Sequence, residues 1–161
     1  MRGAKITVWE ELDSLLVKKL VDKIKSYKRL SNRIAYTVLE IKEKVKMQII
    51  QVYAPTQSYE EEEAENFYEQ VSTAMEECKT KYKIVMGDFN AKLGAKQVEN
   101  EQKIGKFGLG IRNERQDMLY NFLEQQNLYA MNTFFKNKSQ KHMDVNESRW
   151  IHKERIRFYH F

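Results

Sequence analysis

The nine residues from Lys83 to Ala91, KIVMGDFNA, constrain the fold of this chain more than any other stretch. Their apolar run Ile84-Val85-Met86 is typical of a buried strand, and Gly87 then allows a turn or a close backbone neighbour. Asp88 and Asn90 follow one residue apart, so they point the same way. Because ligands of α/β proteins bind where strands end at their carboxyl side, this carboxylate and amide are candidates for a phosphate or metal site. The alternative is ordinary turn chemistry, in which Asp and Asn bind their own backbone.

The residues before this stretch predict a sheet with a helix crossing over it. Ile34 to Ile41 and Val45 to Tyr53 have the composition of two antiparallel strands joined by a tight turn, and Pro55 ends the second strand. Ser58 followed by Glu61 predicts a capping box. A helix with a buried face is then indicated by apolar residues at three- and four-residue steps, namely Ala64, Phe67, Tyr68, Val71, Ala74, Met75 and Cys78. The resulting β, α, β order favours an α/β fold.

The residues after Ala91 are predicted to have less regular structure than those before it. Four of the six glycines lie between residues 92 and 112, which indicates a surface loop. Its sequence GKFGLG is not a nucleotide-binding P-loop, because Lys106 is followed by Phe107 instead of Ser or Thr. A second helix is expected from Asn113 and a strand over Leu128 to Thr133. At the other end of the chain, the spacing of apolar residues predicts a helix over Lys5 to Leu20.

Composition bounds the class of protein. The 161 residues are 42% hydrophobic, enough for one domain with a core, and the net charge of +5 is unevenly spread. Twelve basic residues among the first fifty, and seven from Lys136 onward, predict weak, salt-sensitive binding of DNA or another nucleic acid. Solvated surface is the alternative. A single cysteine, Cys78, excludes an internal disulfide, and the apolar runs are too short for a membrane span. We therefore expect an intracellular protein, nuclear or cytoplasmic, with no membrane partner.

Four motifs together resemble one family. QVYAPT at 51–56, GDFNAKLG at 87–94, GKFGLG with Asn113 and Glu114, and LYAMNTFF at 128–135 are similar to the endonuclease/exonuclease/phosphatase superfamily. The resemblance is greatest to its retrotransposon-derived endonuclease-like members, in particular the group called craniofacial development protein 2-like. It runs from about Val17 to Trp150. It implies a partial endonuclease/exonuclease/phosphatase domain over residues 17–150, flanked by a divergent N-terminal segment, 1–16, and a divergent basic tail, 151–161.

The resemblance implies both a fold and a chemistry. The fold is a two-sheet α/β sandwich whose strand ends form a Mg²⁺-dependent phosphodiesterase site. Asp88 matches the aspartate that orients the attacking water, Asn90 the asparagine that positions that aspartate and the phosphate, and Tyr53 the tyrosine that contacts the phosphate. Without the motif, Tyr53 would be interpreted as an aromatic residue packing on the sheet.

Departures from the family pattern limit the functional prediction. The metal-binding glutamate of the family has no good match, since Glu10 and Glu11 lie in a helical context, and the metal ligands are therefore unknown. The terminal Asp-His pair is not found either, and His142, His152 and His160 do not follow an Asp. We therefore expect a truncated family member, by descent a Mg²⁺-dependent DNA endonuclease, with little or no activity as it stands. The alternatives are a non-catalytic nucleic-acid or protein binding module and a gene fragment without a function of its own.

Overall fold

In the part of the chain that the structure describes, the strands form one six-stranded sheet. The computed structural model describes residues 20–56, 58–91, 93–108, 114–136 and 155–160. The strands are β1 (Ile24–Arg29), β2 (Ile34–Lys42), β3 (Val45–Tyr53), β4 (Tyr82–Asp88), β5 (Tyr129–Ala130) and β6 (Arg155–His160), and the helices are α1 (Glu61–Glu76) and α2 (Glu114–Gln125). Their order across the sheet is β1-β2-β3-β4-β6-β5. The predicted α/β class is confirmed.

The hairpin of β2 and β3 agrees with the sequence prediction. The two strands are antiparallel, with Tyr36 opposite Ile50. Their turn includes Lys44 at a φ of 60°. Along β3 the side chains of Gln48, Ile50 and Val52 are buried while their neighbours are only half-buried or exposed. This two-residue period gives β3 one face that packs into the core under α1.

Helix α1 connects β3 to β4, which run parallel. Its buried face consists of Ala64, Phe67, Val71, Ala74 and Met75, at the spacing that the sequence predicts. The predicted capping box is wrong. The residue before the helix is Glu60, and no side chain caps the first turn. Ser58 lies two residues before this N-cap, where its hydroxyl contacts Thr56 Oγ1 at 2.8 Å.

The glycine-rich segment is only in part the surface loop that the sequence predicts, because residues 96–100 are exposed while other residues of the segment pack into the protein. Leu93 and Ile104 are each 1% exposed. Gly105 donates its N–H to Thr133 Oγ1 at 2.7 Å, and a Cβ at Gly105 would lie 2.3 Å from the Thr133 carbonyl oxygen. Glycine is needed at position 105 because two backbone segments touch there. Composition alone does not distinguish a glycine that allows such a contact from a glycine in a turn.

The chain after α2 departs from its prediction in one respect. The strand expected over Leu128 to Thr133 is limited to β5, and Met131–Thr133 form a 3₁₀ turn. The hydroxyl of Thr133 donates to the Ala130 carbonyl at 2.6 Å and so favours the turn over an extended strand. Strand β6, within the segment predicted as a basic tail, runs antiparallel to both β4 and β5.

Two further predictions concern an N-terminal helix and the absence of a membrane span. The helix expected over Lys5 to Leu20 lies outside the described residues, except for Leu20 itself. Among the helices that the structure does describe, none is long and apolar enough to cross a membrane.

Candidate functional site

Tyr53 and Asp88 end two neighbouring parallel strands. They are register partners across β3 and β4, and both side chains are half-buried. Adjacent strands lie about 4.8 Å apart, so the phenol and the carboxylate belong to one small area at the carboxyl edge of the sheet. This is the edge at which α/β proteins place their ligands. The pairing follows from the β3–α1–β4 crossover, which sets the two strands side by side and parallel.

Gly87 gives this edge its shape. Its φ is +145°, and a Cβ at this position would lie 1.9 Å from the Val52 carbonyl oxygen. Any side chain would therefore push β4 away from β3 just before Asp88. The prediction that Gly87 allows a close backbone neighbour is confirmed, and the neighbour is β3 itself.

Asn90 links the ends of β3 and β4 through hydrogen bonds. Its backbone has a φ of 47°, a region that Asn tolerates better than most residues. Its side-chain Nδ2 donates to the Ala54 carbonyl at 2.6 Å, and its backbone N–H donates to Asp88 Oδ1 at 3.0 Å. The Ala54 N–H in turn donates to the Asp88 carbonyl oxygen at 2.8 Å. The structure thus brings Tyr53, Asp88 and Asn90 together, and their catalytic roles stay a prediction.

The same hydrogen bonds correspond to the turn chemistry that the sequence left open as an alternative. Asp88 Oδ1 accepts from the backbone two residues on, which is the pattern of an Asx turn, while Oδ2 is buried. The carboxylate therefore contributes to holding the turn. A structural role for Asp88 and Asn90 is present in this conformation whether or not they also act on a substrate.

The side chain of Phe89, between Asp88 and Asn90 in the sequence, is buried and anchors the turn to the core. Phe89 is 2% exposed and meets the ring of Phe67 on α1 edge-to-face, at 6.4 Å between centroids. Edge-to-face pairs add about 0.5–1.5 kcal/mol beyond the area that they bury. Packing of Phe89 therefore directs its two polar neighbours toward the surface.

Three further residues beside Tyr53 were missed by the sequence analysis. Arg33 accepts the Tyr53 N–H at its carbonyl oxygen, at 2.9 Å. Its guanidinium lies 5.0 Å from the ring centroid of Tyr59 and donates to Glu63 at 3.0 Å. No local sequence signal marks these residues, because they are brought together only by pairing of β2 with β3 and by the start of α1.

The described residues supply few ligands for the Mg²⁺ that the family resemblance implies. Within the described ranges no group of three or more His, Cys, Asp and Glu side chains is placed to hold a metal. Mg²⁺ prefers six oxygen ligands, of which the side chains of Asp88 and Asn90 supply three at most. These residues alone do not fit a complete magnesium site. An ion held here would need water, substrate phosphate or side chains outside the described part of the chain.

The candidate residues that the sequence analysis set aside lie elsewhere or are not described. Glu10, Glu11, His142 and His152 fall outside the described residues. His160 lies opposite Lys83 at the start of β4, whereas Asp88 at its end is opposite Arg155. The backbone of His160 is therefore at the other end of the strand from the candidate site.

Comparison of the fold with solved structures gives the class. The chain is similar to an endonuclease/exonuclease/phosphatase family protein from Leptotrichia buccalis C-1013-b, with a TM-score of 0.50 and 15% identity. The similarity covers 85% of this chain and 50% of that protein. At this identity it establishes the fold, which is of the endonuclease/exonuclease/phosphatase type.

Comparison of sequences finds two relatives that match part of this chain. Over 94 residues the chain is 37% identical to craniofacial development protein 2 of Bos taurus and 36% identical to that of Tragulus javanicus. Each match covers 58% of this chain and 16% of the length of the relative. No protein-family model matches the chain. The resemblance to craniofacial development protein 2-like sequences and to the endonuclease/exonuclease/phosphatase fold, which the four motifs predict, is confirmed by these similarities.

Proposed function

We propose that this chain is a phosphodiesterase-type domain, related by descent to Mg²⁺-dependent DNA endonucleases, that hydrolyses little or no DNA as it stands. One observation carries the proposal. Asp88 and Asn90 lie beside Tyr53 at the ligand-binding edge of the sheet, yet their polar groups hydrogen-bond the backbone. The position supports the ancestry, and the engagement of both side chains in the turn supports weak catalysis.

The chemistry proposed for this edge is hydrolysis of a phosphodiester, in which the water oxygen forms a bond to phosphorus, the bond from phosphorus to one sugar oxygen breaks, and that leaving oxygen takes a proton from solvent. Asp88 would orient the water and accept its proton, Asn90 would hold Asp88 in place, and Tyr53 would donate a hydrogen bond to a phosphate oxygen. A magnesium ion, when bound, would neutralise charge on the phosphate. A positioned general base contributes about 10²–10⁴-fold to such a rate. A carboxylate that is engaged in a turn provides less of this factor.

The test is nicking of supercoiled plasmid and of duplex DNA with an abasic site, with Mg²⁺ or with EDTA. We expect wild type to remain at the buffer background and Asp88→Asn to be indistinguishable from it. Asp117→Asn, an exposed position on α2, makes the same chemical change away from the site and serves as the matched control. Mg²⁺-dependent nicking by wild type and Asp117→Asn that disappears in Asp88→Asn would overturn the proposed inactivity and establish the enzyme.

A non-catalytic nucleic-acid binding module is the second candidate function. The distribution of lysines over the described sheet favours it, because these lysines gather away from Tyr53 and Asp88. Binding of DNA at background nicking, with no effect of Asp88→Asn on affinity, is the result that this candidate requires.

A further inference from the structure

Two short lysine-rich segments lie side by side at the end of the sheet opposite the candidate site. Residues 40–46, EIKEKVK, comprise the β2–β3 turn and the strand ends beside it, and residues 76–83, EECKTKYK, run from the last residue of α1 into the start of β4. Lys81 donates its backbone N–H to the Lys46 carbonyl oxygen at 3.2 Å, and Met47 is the register partner of Tyr82. The pairing of β3 with β4 therefore joins the two segments into one surface.

The lysine side chains of this surface are exposed. They are Lys42, Lys44, Lys46, Lys79 and Lys81, which we call the lysine surface. Within the described part of the chain, the ion pairs found are formed by Lys25, Lys28 and Arg33, and none involves a member of this set. Lys81 instead lies over the ring of Tyr82, 5.3 Å from its centroid. The five ammonium groups are thus available to an external anion.

Carboxylates in the same two segments offset only part of this charge. Glu40 is paired with Lys25 on β1 at 2.7 Å, and Glu77 with Lys28 at 2.7 Å. The ion pairs of both carboxylates are formed with lysines outside the surface, and Glu40 interacts more weakly with Lys46 of the surface as well. Glu43 and Glu76 are the two that remain, against five lysines. The surface therefore keeps an excess of positive charge.

At the opposite end of the sheet, the start of α1 is acidic. Glu60, Glu61, Glu62 and Glu63 begin α1, and Arg33 joins Glu63 to the strand end that carries Tyr53. Among the described residues, the four glutamates at the start of α1 repel a polyanion, whereas the lysine surface attracts it. Charge separation of this kind steers association over distances of about one Debye length, roughly 8 Å in physiological salt.

We propose that the lysine surface binds the phosphate backbone of nucleic acid, separately from the edge that carries Asp88. Neighbouring strands lie about 4.8 Å apart and alternate residues of a strand about 7 Å apart, so the ammonium groups are spread over a patch. A duplex carries about one negative charge per 1.7 Å of its axis and can meet several of them at once. Contacts to phosphate carry no base information, so binding is independent of sequence. The surface binds nucleic acid even if Asp88 has no catalytic role.

The test compares two double variants of the full chain that each remove two positive charges. Lys46→Gln with Lys81→Gln alters the lysine surface. The control variant, Lys96→Gln with Lys106→Gln, alters two exposed lysines of the glycine-rich segment. This segment packs near Thr133, at the β5 edge of the sheet. Affinity for a fluorescein-labelled DNA duplex is measured by anisotropy over a series of salt concentrations. We expect the surface pair to weaken binding about tenfold and to reduce the slope of log K against log salt by about 2. The control pair should change affinity less than twofold.

Each other outcome is informative. Equal losses in the two pairs would show that net charge, and not this surface, attracts DNA, and would overturn the proposal. So would unchanged DNA affinity in the surface pair, including the case in which only binding to phosphatidylserine vesicles is lost. If the surface pair fails to fold, Lys42→Gln with Lys79→Gln, both exposed, carries the same expectation. Nicking activity has no part in any of these results, so the surface can be disproved without affecting the proposed function.

Discussion

At the scale of single residues, the candidate edge depends on Gly87 more than on its polar side chains. Its positive φ and its contact with the Val52 carbonyl leave no room for a side chain between β3 and β4. The polar residues that follow are then held by hydrogen bonds and by the buried ring of Phe89. Gly87 makes the close approach possible, and Asn90 fixes it.

Gly87→Ala should therefore be strongly destabilising. The added Cβ would meet backbone oxygen at 1.9 Å, and backbone cannot rotate away as a flexible side chain can. We expect a loss of about 2–4 kcal/mol in the free energy of unfolding, measured by urea denaturation, from strain and separation of the strands. A loss below about 0.5 kcal/mol, typical of a surface substitution, would show that β4 shifts at little cost and would contradict this account.

At the scale of elements, one carboxylate ties the end of α1 to the sheet. Glu77 accepts from Lys28 of β1 at 2.7 and 2.8 Å and from the Tyr36 hydroxyl of β2 at 2.7 Å. The hydrogen bond from Lys28, followed by that from Tyr36, lowers the pKa of Glu77. The same contact with Glu77, with burial second, raises the pKa of Tyr36 well above its ordinary value. Three elements thus share one polar cluster.

This cluster predicts a dependence of stability on acid. A carboxylate with a lowered pKa stabilises the fold above its ordinary pKa of about 4.3, and that stabilisation is lost as the pH falls through its folded pKa. Glu77→Gln should lower the unfolding free energy at neutral pH and reduce its decrease toward acid. Glu76→Gln removes the same charge one residue earlier, at an exposed position, and is the matched control. Identical pH profiles for the two variants would show that the cluster does not contribute.

At the scale of the whole molecule, β6 joins the two parts of the sheet. It pairs with β4 along six residues, from Lys83 opposite His160 to Asp88 opposite Arg155, and with β5 on its other side. Without β6, the backbone of β4 would have an unpaired edge beside the apolar run Ile84-Val85-Met86. Unpaired edges of this kind pair with other chains.

Deletion of residues 155–161 should therefore promote self-association. We expect larger species by size-exclusion chromatography with light scattering, and a lower thermal midpoint. A chain that lacks Phe161 alone keeps all of β6 and should behave as the full chain does. If the longer deletion leaves a monomer of unchanged stability, β6 is not needed to close the sheet.

Much of this fold was determined by the sequence alone, and the reason is local. The hairpin of β2 and β3, the buried face of α1 and the glycine before Asp88 each follow from patterns within about ten residues. The motifs that indicated the superfamily are local in the same sense. Residues whose environment is set by neighbours in sequence could be predicted, and the positions of Tyr53, Asp88 and Asn90 at strand ends were among them.

Contacts between distant segments were decided only by the tertiary structure. The start of α1, the burial of Leu93 and Ile104 and the 3₁₀ turn after β5 depend on hydrogen bonds and packing with parts of the chain that local patterns do not identify. The lysine surface is the clearest case. Its two segments are visible in the sequence as charged runs, but only the parallel pairing of β3 with β4 sets Lys46 beside Lys81. Which strands pair depends on how much apolar surface both faces of the sheet bury. Because the pairing strands are distant in sequence, no single segment determines the pairing.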